Sequence, residues 1–385
     1  MKHIRPVPDQ AQHSIDIGVL LALADPCLTE EGAEELRRTM TEHATGIDWS
    51  WLLDQGSRHR VLPLMGYNIK TFRLYWAESG EDLMPNHWVY TSVYEGNRLR
   101  NEALAKELAA LLRSFNDSGI PYAVRKGLLL AERFYPDLGT RRVSDFDILV
   151  TAADARALAA PLQELGYVQG VLHADARIRP YQRSTEAFWR LHVNNALPYV
   201  KKTTEPGLAA FIVDLCLSVL PGRESRTVGS EEFLARSVPA TTCGVPTRAL
   251  GPADELLDLC QHLYKEADTS FYIASSQDIA LSKFIDVVRA LRDADEATLT
   301  AFVDRAHHYD VARNVYFALV HTAELYPGTV PGWVEERLRP EDLSYLDEYG
   351  NLEGNVRTWQ HGFLQRAFDS RRVERMEGGS SVPLR

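Results

Sequence analysis

The chain has 385 residues, 45% of them hydrophobic, which is enough for two or three packed domains and is not the composition of a disordered protein. Its formal charge of −11 repels polyanions over most of the surface, so extended nucleic acid is disfavoured as a partner unless a local basic groove exists. The opening MKHIRPVPDQAQHSIDIG has no apolar run behind a basic start, and no later stretch approaches the ~20 apolar residues of a membrane span; a cytoplasmic protein without a membrane partner is expected.

From about residue 14 to 135 the chain reads mainly as helices: IGVLLALA, AEELRRTMTEHA, the Trp-rich IDWSWLLDQGSRHRVLPLMGYNIK, and a run from Val93 to Asn116. In that run Leu104, Leu108, Leu111, Leu112 and Phe115 recur at helical spacing, as a core-facing stripe does. Trp49, Trp51, Trp76, Trp88 and Tyr90 are explained equally well by packing and by the lining of an acceptor pocket. At Ser118-Gly119 the helix stops and IPYAVRKG begins a short strand, after which LLLAERFYPD is an amphipathic helix closed by Pro136 and Gly139. VSDFDILV alternates acidic and apolar residues from Asp145 to Ile148, the period of a half-buried strand. AADARALAAPLQELG reads as one helix ending on Gly166, and FIVDLCLSV, residues 211 to 219, as another buried strand. After Pro252 the pattern is helical through ADELLDLCQHLYKEA, DIALSKFIDVVRALRDA, EATLTAFVDRAHHYD and VARNVYFALVHTAELY, and the tail RRVERMEGGSSVPLR looks frayed. Cys27, Cys216, Cys243 and Cys260 are too scattered for a zinc or redox motif and read as buried free thiols.

Chemistry concentrates in VSDFDILV. Alternation places Asp145 and Asp147 on one face of a strand, with Cα atoms about 6.5–7 Å apart. Two such carboxylates repel and raise one another's pKa, and they are stable as a dianion chiefly around a divalent cation; ligands that are all oxygen favour Mg²⁺ or Mn²⁺. Solvent-facing strands also carry alternating acids, but here Phe146 and Ile148 show the other face to be buried. Upstream, Lys126-Gly127 stands where a strand meets a helix, and a turn of that kind offers free N–H groups to phosphate. Arg141 and Arg142 lie just before the acids, where a guanidinium either meets an anionic ligand's oxygens in a bidentate fork or balances local charge. Alternation in YAVRKG puts Arg125 on the face opposite Lys126. The histidines form no metal-spaced cluster; His192, between the acidic strands, is the one placed to take part, although the bland reading leads.

The stretch from Ile120 to Val150, IPYAVRKGLLLAERFYPDLGTRRVSDFDILV, resembles the signature of the bacterial nucleotidyltransferase family proteins within the polymerase-β-like superfamily. The Lys-Gly turn, the helix ending in Tyr-Pro, the Arg before the acids and the Asp-hydrophobic-Asp strand carry the resemblance. Leu165-Gly166-Tyr167 after the next helix and the later one-acid strand extend it over about residues 95 to 330. The resemblance implies an α+β fold: a nucleotidyltransferase-type α/β core with a mixed sheet, flanked by N-terminal helices and a C-terminal helical domain. The corresponding boundaries are an N-terminal helical region over 1–117, a catalytic core over 118–250, a helical domain over 251–371 and a flexible tail over 372–385. It also implies a third metal-binding carboxylate on a neighbouring strand, for which Asp214 fits, since a lone acid amid Phe211, Ile212, Val213 and Leu215 needs a strong partner. The Gly-Ser that commonly opens the helix in this superfamily is replaced by Lys126-Gly127-Leu128, which leaves phosphate contact to Lys126 and Gly127 rather than to a hydroxyl.

The implied reaction is metal-dependent transfer of an NMP group from a nucleoside triphosphate to a hydroxyl or similar acceptor on a small molecule, peptide or protein. Asp145, Asp147 and Asp214 hold the metal, and Lys126, Gly127, Arg141 and Arg142 meet the phosphates. The alternatives are a non-catalytic, regulatory nucleotide-binding module of the same fold, which the missing Gly-Ser step permits, and a toxin-like transferase acting on tRNA, which a cluster of Lys and Arg beside the cleft would favour.

Overall fold

The computed structural model describes residues 14–192, 195–221 and 228–375. Helices α1 (Ser14–Leu23), α2 (Glu30–Glu42), α3 (Trp49–Arg58) and α4 (Leu62–Thr71) lead into the long α5 (His87–Ser118). Local chemistry sets their ends. The Thr29 hydroxyl caps α2 by accepting from the Gly32 N–H at 3.2 Å, and Glu30 and Glu31 suit the positive end of its dipole. The Asp48 carboxylate caps α3 through the Trp51 N–H at 2.9 Å. α5 stops where Gly119 turns left-handed at φ 68°.

The middle of the chain supplies β1 (Ala123–Arg125), α6 (Gly127–Phe134), β2 (Phe146–Leu149), α7 (Ala152–Ala157), α8 (Ala159–Glu164), β3 (Val168–Gln169), the small hairpin β4 (Val171–Leu172) and β5 (Ile178–Arg179), and α9 (Arg183–His192). It continues with β6 (Tyr199–Lys202), β7 (Ala210–Cys216), α10 (Ser230–Ala235), β8 (Val238–Thr242) and β9 (Val245–Ala249). Helices α11 (Pro252–Asp268), α12 (Ser270–Ala274), α13 (Leu281–Asp293), α14 (Glu296–His308) and α15 (Ala312–Leu325) follow. Among the described residues no helix is long and apolar enough to cross a membrane.

Seven strands form one mixed sheet in the order β3-β6-β7-β2-β1-β9-β8, in which β2–β7 and β1–β9 run parallel and the other neighbours antiparallel. With helices before and after it, this is the expected α+β architecture. The acid-bearing β2 and β7 lie side by side at its centre. The leucine stripe of α5 does face the core: Leu104, Leu108, Leu111, Leu112 and Phe115 are buried together with Ile148, Val150, Leu158 and Leu162. A second core unites residues of α1–α4 with residues of α11–α15 and reaches to Phe368. Trp51 packs against Phe368 at a ring separation of 6.1 Å, and the Gln55 amide donates to Ser370 Oγ at 2.8 Å, so the beginning and the end of the described chain are knit together.

Two expectations are corrected, and one hairpin is added that the residue pattern does not announce. The helix read through Ala152–Gly166 is broken at Leu158, because Pro161 has no N–H and its ring crowds the carbonyl four residues back, at Ala157. The hairpin β8–β9 was hidden by Pro239 and Pro246, which are tolerated because β8 is an edge strand and β9 meets β1 only at Val124↔Ala249. Cys216 and Cys260 are buried as expected, but Cys27 is exposed in the turn after α1 and Cys243 is half-buried in the β8–β9 turn at φ 50°; all four are free.

Candidate active site

Along β2 the apolar Phe146, Ile148 and Leu149 are buried while Asp147 stays half-buried, the alternation its sequence predicts. Because β2 and β7 are parallel and paired Asp147↔Asp214, these two carboxylates rise side by side on one face of the sheet, one strand spacing apart. Asp145 sits in the bend that enters β2, with the Ser144 hydroxyl donating to its Oδ1 at 2.9 Å. The three acids singled out in the sequence therefore meet at one place. Burial pushes the Asp214 carboxyl up to about 8, with the charges of Asp145 and Asp147 adding to it. Burial and then Asp147 also raise Asp145. At Asp147 burial acts upward too, but the cations Lys126, Arg125 and Lys265 outweigh it and hold this carboxyl below its usual range.

The Lys-Gly turn is the device that brings a cation here. β1 ends at Arg125, and then Lys126 adopts φ 46° and ψ −139° and Gly127 φ 49°, two successive positive values that swing the chain into α6. This places the buried Lys126 Nζ 3.6 Å from Asp147 Oδ2. The bend also corrects the reading of Arg125. Antiparallel register pairs Arg125 with Asp147, so it lies on the acids' own face, and the turn brings Lys126 to the same side. The Arg125 guanidinium is engaged by Asp258 of α11, with Nε 2.9 Å from Oδ2 and a second bond from Nη2 to Oδ1.

Of the two arginines before β2, Arg141 turns inward. It forks onto Asp286 of α13, Nε to Oδ1 at 3.1 Å and Nη2 to Oδ2 at 2.7 Å, and its Nη1 donates to the Gly127 carbonyl at 3.2 Å. Its guanidinium thus braces the Lys-Gly turn from behind. Arg142 is exposed. Arg100, whose Nη1 donates to the Val143 carbonyl, joins it: burial pushes Arg100 down to about 10, the Arg142 charge adds to the lowering, and Asp145 opposes it.

Other participants were not singled out from the sequence. On α11, Asp258, His262 and Lys265 fall at helical spacing on one face. His262 Nε2 lies 3.1 Å from Glu266 Oε1, which is also ion-paired through Oε2 with Lys283 of α13. Burial and the cations Lys126, Lys283, Lys265 and Arg125 hold His262 neutral, well below its usual range. Lys265 bears on both Asp147 and Asp214. Arg60, at φ 60°, faces Asp145 from the α3–α4 turn and donates to Gln277 Oε1 at 3.2 Å. Tyr181 is pushed up to about 12 by burial and then by the Asp214 charge. The spacing on α11 was the readable signal; Arg60 and Tyr181 are brought in by tertiary packing alone. The His192 side chain lies outside the described residues. Trp51 packs against Phe368 and the Tyr90 hydroxyl reaches the Trp49 carbonyl at 3.5 Å, while Trp76 and Trp88 are exposed.

Among the described residues no three acidic, histidine or cysteine side chains are gathered tightly enough to hold a metal ion as they stand. Yet the donor set suits a hard divalent cation: three neighbouring carboxylates, of which Asp145 and Asp214 are raised by burial and by the charge of their neighbours, with Asp214 Oδ1 buried and lacking a hydrogen-bond donor among the described residues. Lys126, Lys265, Arg60 and Arg100 bear on these acids, with Arg142 beside Arg100, a local positive field on a chain of net charge −11. No curated protein matches the chain. A family model described as uncharacterised nucleotidyltransferase matches residues 45–327, a span that contains every site residue named above.

Proposed function

The chain belongs to this family of uncharacterised nucleotidyltransferases, and on that premise we propose that it transfers an NMP group from a nucleoside triphosphate to a hydroxyl or similar acceptor on a small molecule, peptide or protein, in a metal-dependent reaction. The observation that carries this reading is the pairing of Asp147 with Asp214 across parallel strands, with Asp145 beside them and one Asp214 oxygen buried without a donor among the described residues.

In this reading Asp145, Asp147 and Asp214 hold Mg²⁺ or Mn²⁺, which when bound neutralises developing charge on the phosphates. Lys126 keeps Asp147 ionised before the metal arrives and afterwards is free to share its charge with a phosphate oxygen. Gly127 leaves the first turn of α6 open to phosphate. Arg142, Arg100 and Lys265 supply the remaining positive charge, and Arg141 serves by fixing the turn. By the family resemblance, Asp214 is the acid assigned to draw the acceptor's proton, once the metal holds it ionised. Catalysis is then mainly positioning and charge neutralisation.

A polyanionic acceptor such as a tRNA end is a second reading, favoured by the exposed Arg142 beside Arg100 at the rim of the site. Calorimetric titration of each nucleoside triphosphate with and without Mg²⁺ tests the main reading. Metal-dependent binding that Asp145→Asn with Asp147→Asn abolishes supports it and names the donor. A folded protein that binds no triphosphate with Mg²⁺ or Mn²⁺ sinks it in favour of a degenerate scaffold that keeps the fold without the nucleotide. Incubation of the labelled donor with tRNA separates the acceptor readings.

A further inference from the structure

Beyond the acids, α11 runs on toward an aromatic pair that the reaction described above leaves unused. Lys265 lies seven residues from Asp258, two helical turns and about 10 Å along the same face. At the near end of that face Asp258 grips Arg125, the register partner of Asp147. At the far end Lys265 Nζ stands 5.5 Å over the ring of Tyr272. The ring of Phe271 meets that of Tyr272 edge-on at 5.4 Å and 73°. Tyr272 is fixed by its own backbone, its N–H donating to the Thr269 carbonyl at 3.0 Å and its carbonyl accepting from Gln277 at 2.8 Å. Gln277 in turn is tied to Arg60, which faces Asp145. Two cations, Lys265 and Arg60, thus connect the carboxylates with one side of this pair. Phe271 is 42% exposed. Exposed beside Tyr272 and the Lys265 charge, its aromatic ring offers a π-face on which a ligand ring can stack.

We propose that Phe271 and Tyr272 form the platform on which the nucleobase of the triphosphate donor stacks. The assignment rests on the transferase reading, which puts the reacting phosphorus at the carboxylates. The ribose then carries the base away from them toward the end of α11, where Lys265, which bears on Asp147 and Asp214, also reaches the Tyr272 ring. Stacking needs a π-face and no particular hydrogen-bond pattern, so the platform accepts purines and pyrimidines with a graded preference for the larger rings.

The test compares binding of each nucleoside triphosphate with binding of inorganic tripolyphosphate, both with Mg²⁺, to the full chain and to Phe271→Ala, Tyr272→Phe and the Phe271→Ala/Tyr272→Leu double variant. Phe271 is at the surface, so its truncation leaves folding intact, which a thermal melt verifies. Removing one stacking ring weakens binding by about 5–100-fold. The proposal therefore expects Phe271→Ala to lose at least about fivefold in nucleotide affinity and the double variant to fall to the tripolyphosphate level. It expects Tyr272→Phe to bind as the unaltered chain does, and tripolyphosphate to bind all four alike. Unchanged nucleotide affinity in Phe271→Ala and in the double variant, with tripolyphosphate still bound, overturns the platform and leaves the transferase reading standing. If the unaltered chain binds neither probe, the transferase reading itself fails and the platform with it.

Discussion

Lys126 Nζ stands 3.6 Å from Asp147 Oδ2, and it reaches that position on a backbone bent to φ 46° and ψ −139°. A residue with a Cβ is strained there by about 1–3 kcal/mol, so stability and site charge are opposed at one position. Lys126→Gly is expected to be more stable than Lys126→Ala by about 1 kcal/mol or more, and both are expected to lose about tenfold or more in triphosphate affinity with one charged donor gone. Urea denaturation and calorimetry measure the two effects; equal stabilities for the Gly and Ala variants would show that the turn is relaxed.

Asp214 gives a pH dependence of definite sign. Its folded pKa of about 8 lies above the unfolded value of about 3.9, so the folded state binds the proton more tightly and stability falls as pH rises from about 4 to 8. In EDTA, Asp214→Asn is expected to match the unaltered protein near pH 4 and to exceed it at pH 8.5 by on the order of 1–3 kcal/mol. Mg²⁺ should narrow that gap. A difference that stays constant between the two pH values counts against the shift.

Arg141 is expected to act on structure first. Arg141→Met removes the charge, the fork on Asp286 and the bond to the Gly127 carbonyl, which should cost about 3–5 kcal/mol as a broken buried pair does. Asp286→Asn should cost a similar amount, and the double variant much less than their sum, because both disrupt the same contact. Additive losses in denaturant melts would mean that the two side chains act independently.

A comparison of two glycines checks the packing of α4 on α5. A Cβ at Gly66 would lie 2.1 Å from the Tyr90 carbonyl oxygen, whereas one at Gly96 meets nothing within 4 Å. Gly66→Ala should therefore destabilise by about 1–3 kcal/mol or more, while Gly96→Ala, in the middle of α5, should stabilise by about 0.5–1 kcal/mol. Opposite signs in the same thermal assay are the expected outcome.

Sequence reading reached the elements whose signal is local. Asp145 and Asp147 announced a shared face by their spacing alone, and the leucines of α5 and the helices after Pro252 announced theirs. Asp214 was legible as an anomaly, a charge inside an apolar strand, although its pairing with Asp147 depends on a parallel contact between segments more than sixty residues apart. Arg125 was assigned to the wrong face because alternation holds only while the chain stays extended, and the positive φ at Lys126 ends it. Arg60 and Tyr181 carried no local signal. Each is an ordinary residue in its own segment and acquires meaning only when folding sets it against a carboxylate. The strands β8 and β9 were masked by prolines that an edge position tolerates.

The joining of the first helices to the last has a consequence for synthesis on the ribosome. The apolar faces of α1–α4 are covered in part by residues from α11 onward, and Trp51 waits for Phe368. At about 5–20 residues per second, the nearly 200 residues that separate α4 from α11 take on the order of 10–40 seconds to emerge. For that interval the newly made N-terminal helices carry sticky surface that only a chaperone, or a slowly arriving C-terminus, will shield. Emergence of the stretch around Phe368, rather than completion of the seven-stranded sheet, is therefore the event that covers these helices.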